Sequence, residues 1–322
     1  MIKAGRTLVL AGAEADFAGL PAGNWIGGTV ACFLAGGKIM RAQGHLIYAD
    51  LSAIALKTEL RRFPAKQLPR LGAHYPANGF AVAILPGHSP LLRAVATKMP
   101  DWPGLYNAPL VGWVSAVPLS QLGQMEPKIF CGNATPRRDS AALMYVYLPD
   151  NMFPALGIVN LFAASSCSSL RFPAGGYTIK GNCLINGQKA NLSRLIATGE
   201  IDPALPLTAD RSGALLNNSI IANDPKTGLI TFLNPIDPTL TYRFAEPFAD
   251  FKSALTMAAA GLNLPGAALA SVCIASLRHL DATTRPMLPA IAPVTFGQIG
   301  YTVLTQTIAC LSLSYLAGEL QE

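Results

Sequence analysis

Cys273 stands in "ASVCIASLRHL", an apolar run whose end carries Arg278 and His279. A cysteine becomes a nucleophile when a base or positive field stabilises its thiolate. Arg278 is the one charge near enough in sequence to supply such a field, and the alternative is a small core residue. A second group is "TADRSGALLNNS", with Asp210, Arg211, Asn217 and Asn218. There Asp210 could act as a base while Arg211 or Arg278 holds an anion. Thr295 and Gln298 interrupt a third apolar run, "VTFGQIGY". Buried amides and charges must be hydrogen-bonded, so these groups either lock turns or face a ligand. His88, in "PGHSP", sits on an expected strand-to-helix turn, where a lone histidine either caps the loop or meets a ligand. His279 could ligate a metal or haem iron, but no partner residue accompanies it.

"GNWIGGTVACFL", residues 23–34, poses a backbone question. Gly27 and Gly28 open a buried strand. Bare backbone there lets N–H groups approach a small polar molecule, with Thr29 beside it and Trp25 and Trp113 as walls. Close packing or a β-bulge would require the same glycines.

Several chemistries are excluded. No Gly-Lys-Ser/Thr occurs, the glycines lack the G-x-G-x-x-G order, and no G-x-S-x-G elbow is present. The six cysteines, at 32, 131, 167, 183, 273 and 310, form no C-x-x-C pair, and no histidine spacing completes a zinc site. Net charge is +6, yet Arg61-Arg62, Lys66, Arg70 and Arg137-Arg138 are scattered without interleaved aromatics, unlike a nucleic-acid stripe. The opening residues lack a signal peptide pattern, which points to a cytoplasmic protein with reduced thiols. Ser253 to Leu277 contains no charge, but Asn263, Pro265 and Gly266 break it. A helix to about Gly261, a turn at "NLPG" and a buried strand fit better than a membrane span.

Hydrophobic residues make up 51% of the 322 and charged residues 13%, about half the usual share. Such a chain buries a large core or hides surface in a homo-oligomer. Strands are expected near 8–10, 25–34, 45–51, 79–87 and 108–119. Helices are expected over 52–63 and over 89–99, where Ser89 caps and Pro90 opens the first turn. Beyond a Gly/Pro-rich loop the pattern becomes strand-heavy, with an Asn186-Gly187 turn. Helices are expected over 188–199, 248–261 and "TFGQIGYTVL", with last strands near Val272 and at "QTIACLSLSY". No fixed-period repeat is present. The fold expected is α/β or α+β: two packed halves, 1–131 and 139–322, joined by residues 132–138, with mixed sheets and flanking helices.

Taken in order, "GNWIGGT", "PLVGWVSAV", "LPLTADRSGALLNNS", "SVCIASLRHL" and "APVTFGQIGY" resemble the FIST domain group, in particular an uncharacterised bacterial branch of it. The resemblance runs from residue 23 to about 313. Cys273 matches the family's strand cysteine, and Pro293 to Ile299 match its Gly-x-x-Thr-x-Gly-Glu-Ile-like turn, with Gln298 in place of the glutamate. The resemblance implies a sensory module that binds a small ligand and passes the signal to a partner protein. The pocket would lie between the halves, lined by Trp25, Gly27, Gly28, Thr29, Trp113, Asp210, Asn217, Cys273, Thr295 and Gln298. The alternative on the same scaffold is an enzyme of specialised metabolism using Cys273 or Asp210, with Arg278.

Overall fold

The computed structural model describes residues 1–166, 168–211, 213–248, 250–262, 267–281 and 291–315. Cys167, Ser212 and the "NLPG" turn at 263–266 therefore lie outside the described residues. The fold is α+β, dominated by mixed sheets.

The chain opens with β1 (Leu8–Gly12), a 3-10 turn at Glu14–Phe17 and β2 (Trp25–Thr29). It continues through β3 (Cys32–Ala35), β4 (Lys38–Arg41), β5 (Leu46–Asp50) and β6 (Lys57–Pro64). Next come β7 (Gly79–Leu85), α1 (Pro90–Val95), β8 (Leu110–Val114), β9 (Ile129–Cys131), β10 (Ser140–Tyr147) and β11 (Met152–Asn160).

Residues 161–246 form an insert with its own core. It holds β12 (Leu170–Arg171), β13 (Gly176–Lys180), β14 (Asn182–Ile185), β15 (Gln188–Asn191) and α2 (Leu192–Ala197). It continues with β16 (Leu207–Arg211), β17 (Ala214–Asn218), β18 (Ile220–Asp224), β19 (Leu229–Ile236) and β20 (Tyr242–Phe244). Leu170, Phe172, Leu192, Phe232 and Tyr242 pack together inside it. Its two ends meet: Ser165 N–H donates to the Phe244 carbonyl at 2.8 Å, and Glu246 N–H to the Ala163 carbonyl at 2.9 Å.

The body resumes with α3 (Phe251–Leu262), β21 (Leu269–Cys273), a 3-10 turn at Ile274–Arg278, β22 (Ile291–Thr295), β23 (Gly297–Gly300), β24 (Val303–Leu304) and β25 (Thr307–Tyr315). One plan recurs three times in the body: an inner parallel pair flanked by antiparallel strands. The orders are β5-β1-β2-β9, β10-β7-β8-β23 and β25-β21-β22-β3. In each, the chain turns helical soon after the first parallel strand, at Glu14, Pro90 and Ile274. The insert separates the second plan from the third, so no fixed sequence period marks the recurrence. The strands β1, β2, β7 and β8 are buried at every residue, as parallel strands covered on both faces must be.

This interleaving corrects the expected division at 132–138. β10, which follows that loop, pairs with β6 on one side and β7 on the other, and β3 pairs with β22. Residues 52–63 are not a helix either. Their Leu, Lys, Glu and Arg favour helix intrinsically, but β6 is an edge strand on β10, where charge guards an exposed edge. "TFGQIGYTVL" forms β23 and β24 rather than a helix; close approach to a neighbouring strand holds Gly297 at φ 155, where a Cβ would lie 2.6 Å from the Leu304 carbonyl. Residues 188–191 pair with β14 across the Asn186-Gly187 turn before α2 begins.

The paired glycines of β2 are there for packing. A Cβ on Gly27 would sit 2.5 Å from Phe17 Cε1, and one on Gly28 would sit 2.7 Å from Ile84 Cγ2 and 3.1 Å from Trp113 Nε1. Trp25 is fully buried, stacked 6.2 Å from Phe17, with its Nε1 donating to the Pro21 carbonyl at 3.0 Å. Gly27, Gly28 and Trp25 therefore face the protein's own side chains. Gly28→Ala should cost about 1–3 kcal/mol by overpacking. Gly261→Ala, on an open helix position, should add about 0.5–1 kcal/mol. Urea denaturation of the two variants checks the contrast.

Candidate functional site

A groove of about 820 Å³ opens beyond the carboxyl ends of β1, β2 and β8, lined by Glu14, Thr29, Arg41, Gln43, Gln121 and Glu126 among others. Crevices outside the carboxyl ends of parallel strands are where α/β sheets bind ligands. Thr29, at the end of β2, is buried, and its Oγ1 accepts the Lys128 N–H at 2.9 Å. Lys128 Nζ in turn pairs with Glu14 at 2.8 Å. Glu14 is positioned by the turn after β1, where Asp16 Oδ2 accepts the Ala13 N–H at 3.1 Å and Asp16 Oδ1 the Gly44 N–H at 3.0 Å. Arg41 ends β4, is exposed, and makes no ion pair among the described residues. The groove thus offers a fixed hydroxyl, paired charges and one free guanidinium.

A second cleft of about 490 Å³ adjoins the first, shares Met125 and Glu126 with it, and lies between body and insert. His88 is at its floor. The turn from β7 into α1 places it there: Ser89 Oγ accepts the Leu92 N–H at 3.0 Å and donates to the Pro86 carbonyl at 2.7 Å. His88 itself takes φ 44, a left-handed conformation uncommon outside glycine and a mark of functional turns. Its ring stacks on Tyr177 of the insert at 4.3 Å and meets Phe296 edge-on at 5.7 Å. Arg138 donates to the His88 carbonyl at 2.8 Å and pairs with Glu126. His88 Nε2 and Arg138 Nε are buried with no hydrogen-bond partner among the described residues. Burial, aided by the Arg138 charge, pushes the His88 imidazole down to about 4, although the Phe232 backbone partly opposes this.

The other residues singled out in the sequence do not join either cleft. Trp113 packs in the core and edges a separate crevice of about 70 Å³. Asp210 is exposed and accepts the Gly213 N–H at 3.2 Å, closing a turn. Its neighbour Arg211 pairs with Asp101 at 2.9 Å. Asn217 exchanges two 2.9 Å amide bonds with Asn160. Arg278 donates to the Pro203 carbonyl at 2.8 Å, and His279 lies among Phe162, Phe248 and Phe251 with its Nε2 on the Ala204 carbonyl at 3.2 Å.

Cys273 and Gln298 do meet, with Ser271, Gln306 and His279, but around a void of only about 30 Å³, the share of one water molecule. Thr295 is opposite Cys273 in register and donates to the Gly297 carbonyl at 2.9 Å. Cys273 is fully buried, and desolvation raises its thiol well above the usual range. Of the two readings of Cys273, nucleophile or core residue, its burial favours the core thiol, and the Arg278 guanidinium sits on a backbone carbonyl. Among the described residues no three His, Cys, Asp or Glu side chains gather to hold a metal ion, and no helix is long and apolar enough to cross a membrane.

Arg41, Glu14, Lys128, Glu126 and Tyr177 escaped the sequence reading because no motif spacing links them. Arg138 was visible only as half of a basic dipeptide.

Three interlocked four-strand units, a lateral insert and clefts at the strand ends define the class of protein. A family model, described as a family of unknown function (DUF6976), matches residues 1–314, and the chain belongs to that family. No curated protein and no solved structure matches it.

The depressed His88 makes stability pH-dependent in a definite sense. The ring is neutral in the fold and has an ordinary value near 6.5 when unfolded, so its contribution is complete above about pH 6.5 and is lost as pH falls toward 4. The loss should be on the order of 2–3 kcal/mol, and His88→Asn should remove it from the pH profile of urea midpoints. His279 and His74, also held down by burial, add to the slope, as do carboxylates lowered by hydrogen bonds, Glu59 and Asp50 among them. Separately, Cys273 should resist iodoacetamide at pH 7.5 until denaturant unfolds the chain, read by peptide mass mapping; fast native labelling would restore it as a nucleophile.

Proposed function

We propose that this protein binds a small polar metabolite bearing an anionic group in the groove at the carboxyl ends of β1, β2 and β8. The observation that carries this reading is Arg41, an unpaired guanidinium on the wall of an 820 Å³ concavity that also presents the fixed hydroxyl of Thr29. In a chain with so few charges, an unpaired cation beside a preformed cleft suits a carboxylate or similar group. Glu14 and Glu126, on other parts of the lining, suit a positive or hydrogen-bond-donating end of the same molecule. The sequence resemblance to FIST sensory modules supports a non-catalytic role in which occupancy is passed to a signalling partner.

A thermal-shift screen against amino acids, organic acids and nucleobases tests the binding. A ligand present at about 100 times its Kd should stabilise by about 2.7 kcal/mol, which is several degrees of Tm. Arg41→Gln should abolish the shift while leaving the unliganded Tm within about a degree, because exposed substitutions change stability little. No shift with any compound on folded protein would remove the proposal.

A further inference from the structure

We propose that the cleft between the body and the 161–246 insert is a separate site for a small oxyanion, a carboxylate in the first instance, seated on His88 and Arg138 and bound together with a proton. The geometry begins with Arg138. Each terminal nitrogen already has a partner, Nη1 on Glu126 and Nη2 on the His88 carbonyl, and Nε–H is the guanidinium nitrogen that is buried without one among the described residues. That donor and His88 Nε2 are both buried, both lack a partner among the described residues, and belong to residues lining the same cleft. Buried polar atoms without partners are uncommon and call for an explanation. An oxyanion supplies the acceptor that Arg138 Nε–H lacks and, once Nε2 carries a proton, an acceptor for His88 as well. Both are shielded from water, so a guest reaches them by displacing side chains that wall the cleft.

The strained turn supports the assignment. A left-handed His88 on the loop between β7 and α1 sets the imidazole against Tyr177 and Phe296, with Arg138 held on the His88 carbonyl. The charged and titratable neighbours set the sign. Arg138 and its partner Glu126 come from the 126–138 segment, and Tyr177 comes from the insert, with its hydroxyl 3.4 Å from the Ser89 carbonyl. Arg93 of α1 acts on Tyr177 from the other side, and Phe296 contributes no charge. Burial keeps the Tyr177 phenol protonated. Glu126 offsets the Arg138 guanidinium, so the cleft gains net positive charge when the His88 ring takes up a proton. An anion on Nε2 favours the imidazolium, and binding therefore draws one proton from solvent.

Isothermal titration of the full chain with acetate, succinate and inorganic phosphate, at pH 6.0 and 7.5 and in two buffers of different ionisation heat, tests this. The carboxylates should bind about three- to tenfold tighter at pH 6.0, with net proton uptake. Phosphate behaving the same way would support the site and make its guest a phosphoryl group. His88→Asn, which the left-handed backbone tolerates, should abolish the pH dependence. Arg138→Gln should weaken binding at least about tenfold, and Arg41→Gln should leave it unchanged. Absence of binding by all three probes, binding without proton uptake, or binding lost in Arg41→Gln would overturn the proposal. The last outcome would assign the anion to the larger groove and leave that reading standing.

Discussion

Two backbone hydrogen bonds hold the three four-strand units together at one end. Ala116 N–H donates to the Thr29 carbonyl at 2.7 Å, joining the first unit to the second. Phe296 N–H donates to the Val114 carbonyl at 3.1 Å, joining the second to the third. Both lie where an inner parallel strand ends or has just ended. Strands buried on both faces have no other place to turn polar groups outward, so the hydroxyl residues Thr29, Ser115 and Thr295 fall at these ends. The large groove opens beside the first of the two joints, between Thr29 and Ala116. Its position follows from how the units are tied.

A second constraint is the scarcity of charge. Amides and hydroxyls do work inside this protein that ion pairs do elsewhere, and much of it joins insert to body. Asn217 of the insert locks to Asn160, its carbonyl accepts Thr305 Oγ1 at 2.8 Å, and Gln306 donates to both the Ala204 and Ala275 carbonyls. Gln306 does so from φ 48, left-handed like His88. These bonds explain why uncharged polar residues inside apolar runs mislead a search for a ligand: in a charge-poor core they are the structural fastenings.

Legibility of the sequence followed the physics of each segment. The all-apolar runs at 79–85 and 110–114 and the capped "SPLLRAV" turn announce themselves, because double-sided burial and an N-cap leave local marks. β6 does not, since an edge strand wears the charges of a surface helix. β23 does not, because its glycines and glutamine answer to strands distant in sequence. The same holds at the clefts. Thr29 enters the expected lining as the hydroxyl beside the glycine pair, whereas Arg41, Glu14, Glu126 and Arg138 have no local signature and gain significance only when four separate segments converge. Cys273 and Gln298 line one void, and only packing reveals that it is about 30 Å³.

Glu126 gives the two clefts a shared element. It faces the larger groove and also holds Arg138 in the smaller one. A carboxylate seated on Arg138 Nε would share the guanidinium charge with Glu126, and a cationic group in the larger groove would draw on Glu126 itself. Either event weakens the same ion pair, so each guest changes the field the other meets. Coupling of this kind requires only a shared charged partner and no long-range rearrangement. The insert covers His88 through Tyr177 and, among the described residues, is also fastened to the body by hydrogen bonds of Asn217, Thr305 and Gln306, by the Arg278 bond to the Pro203 carbonyl and by the Arg211–Asp101 pair.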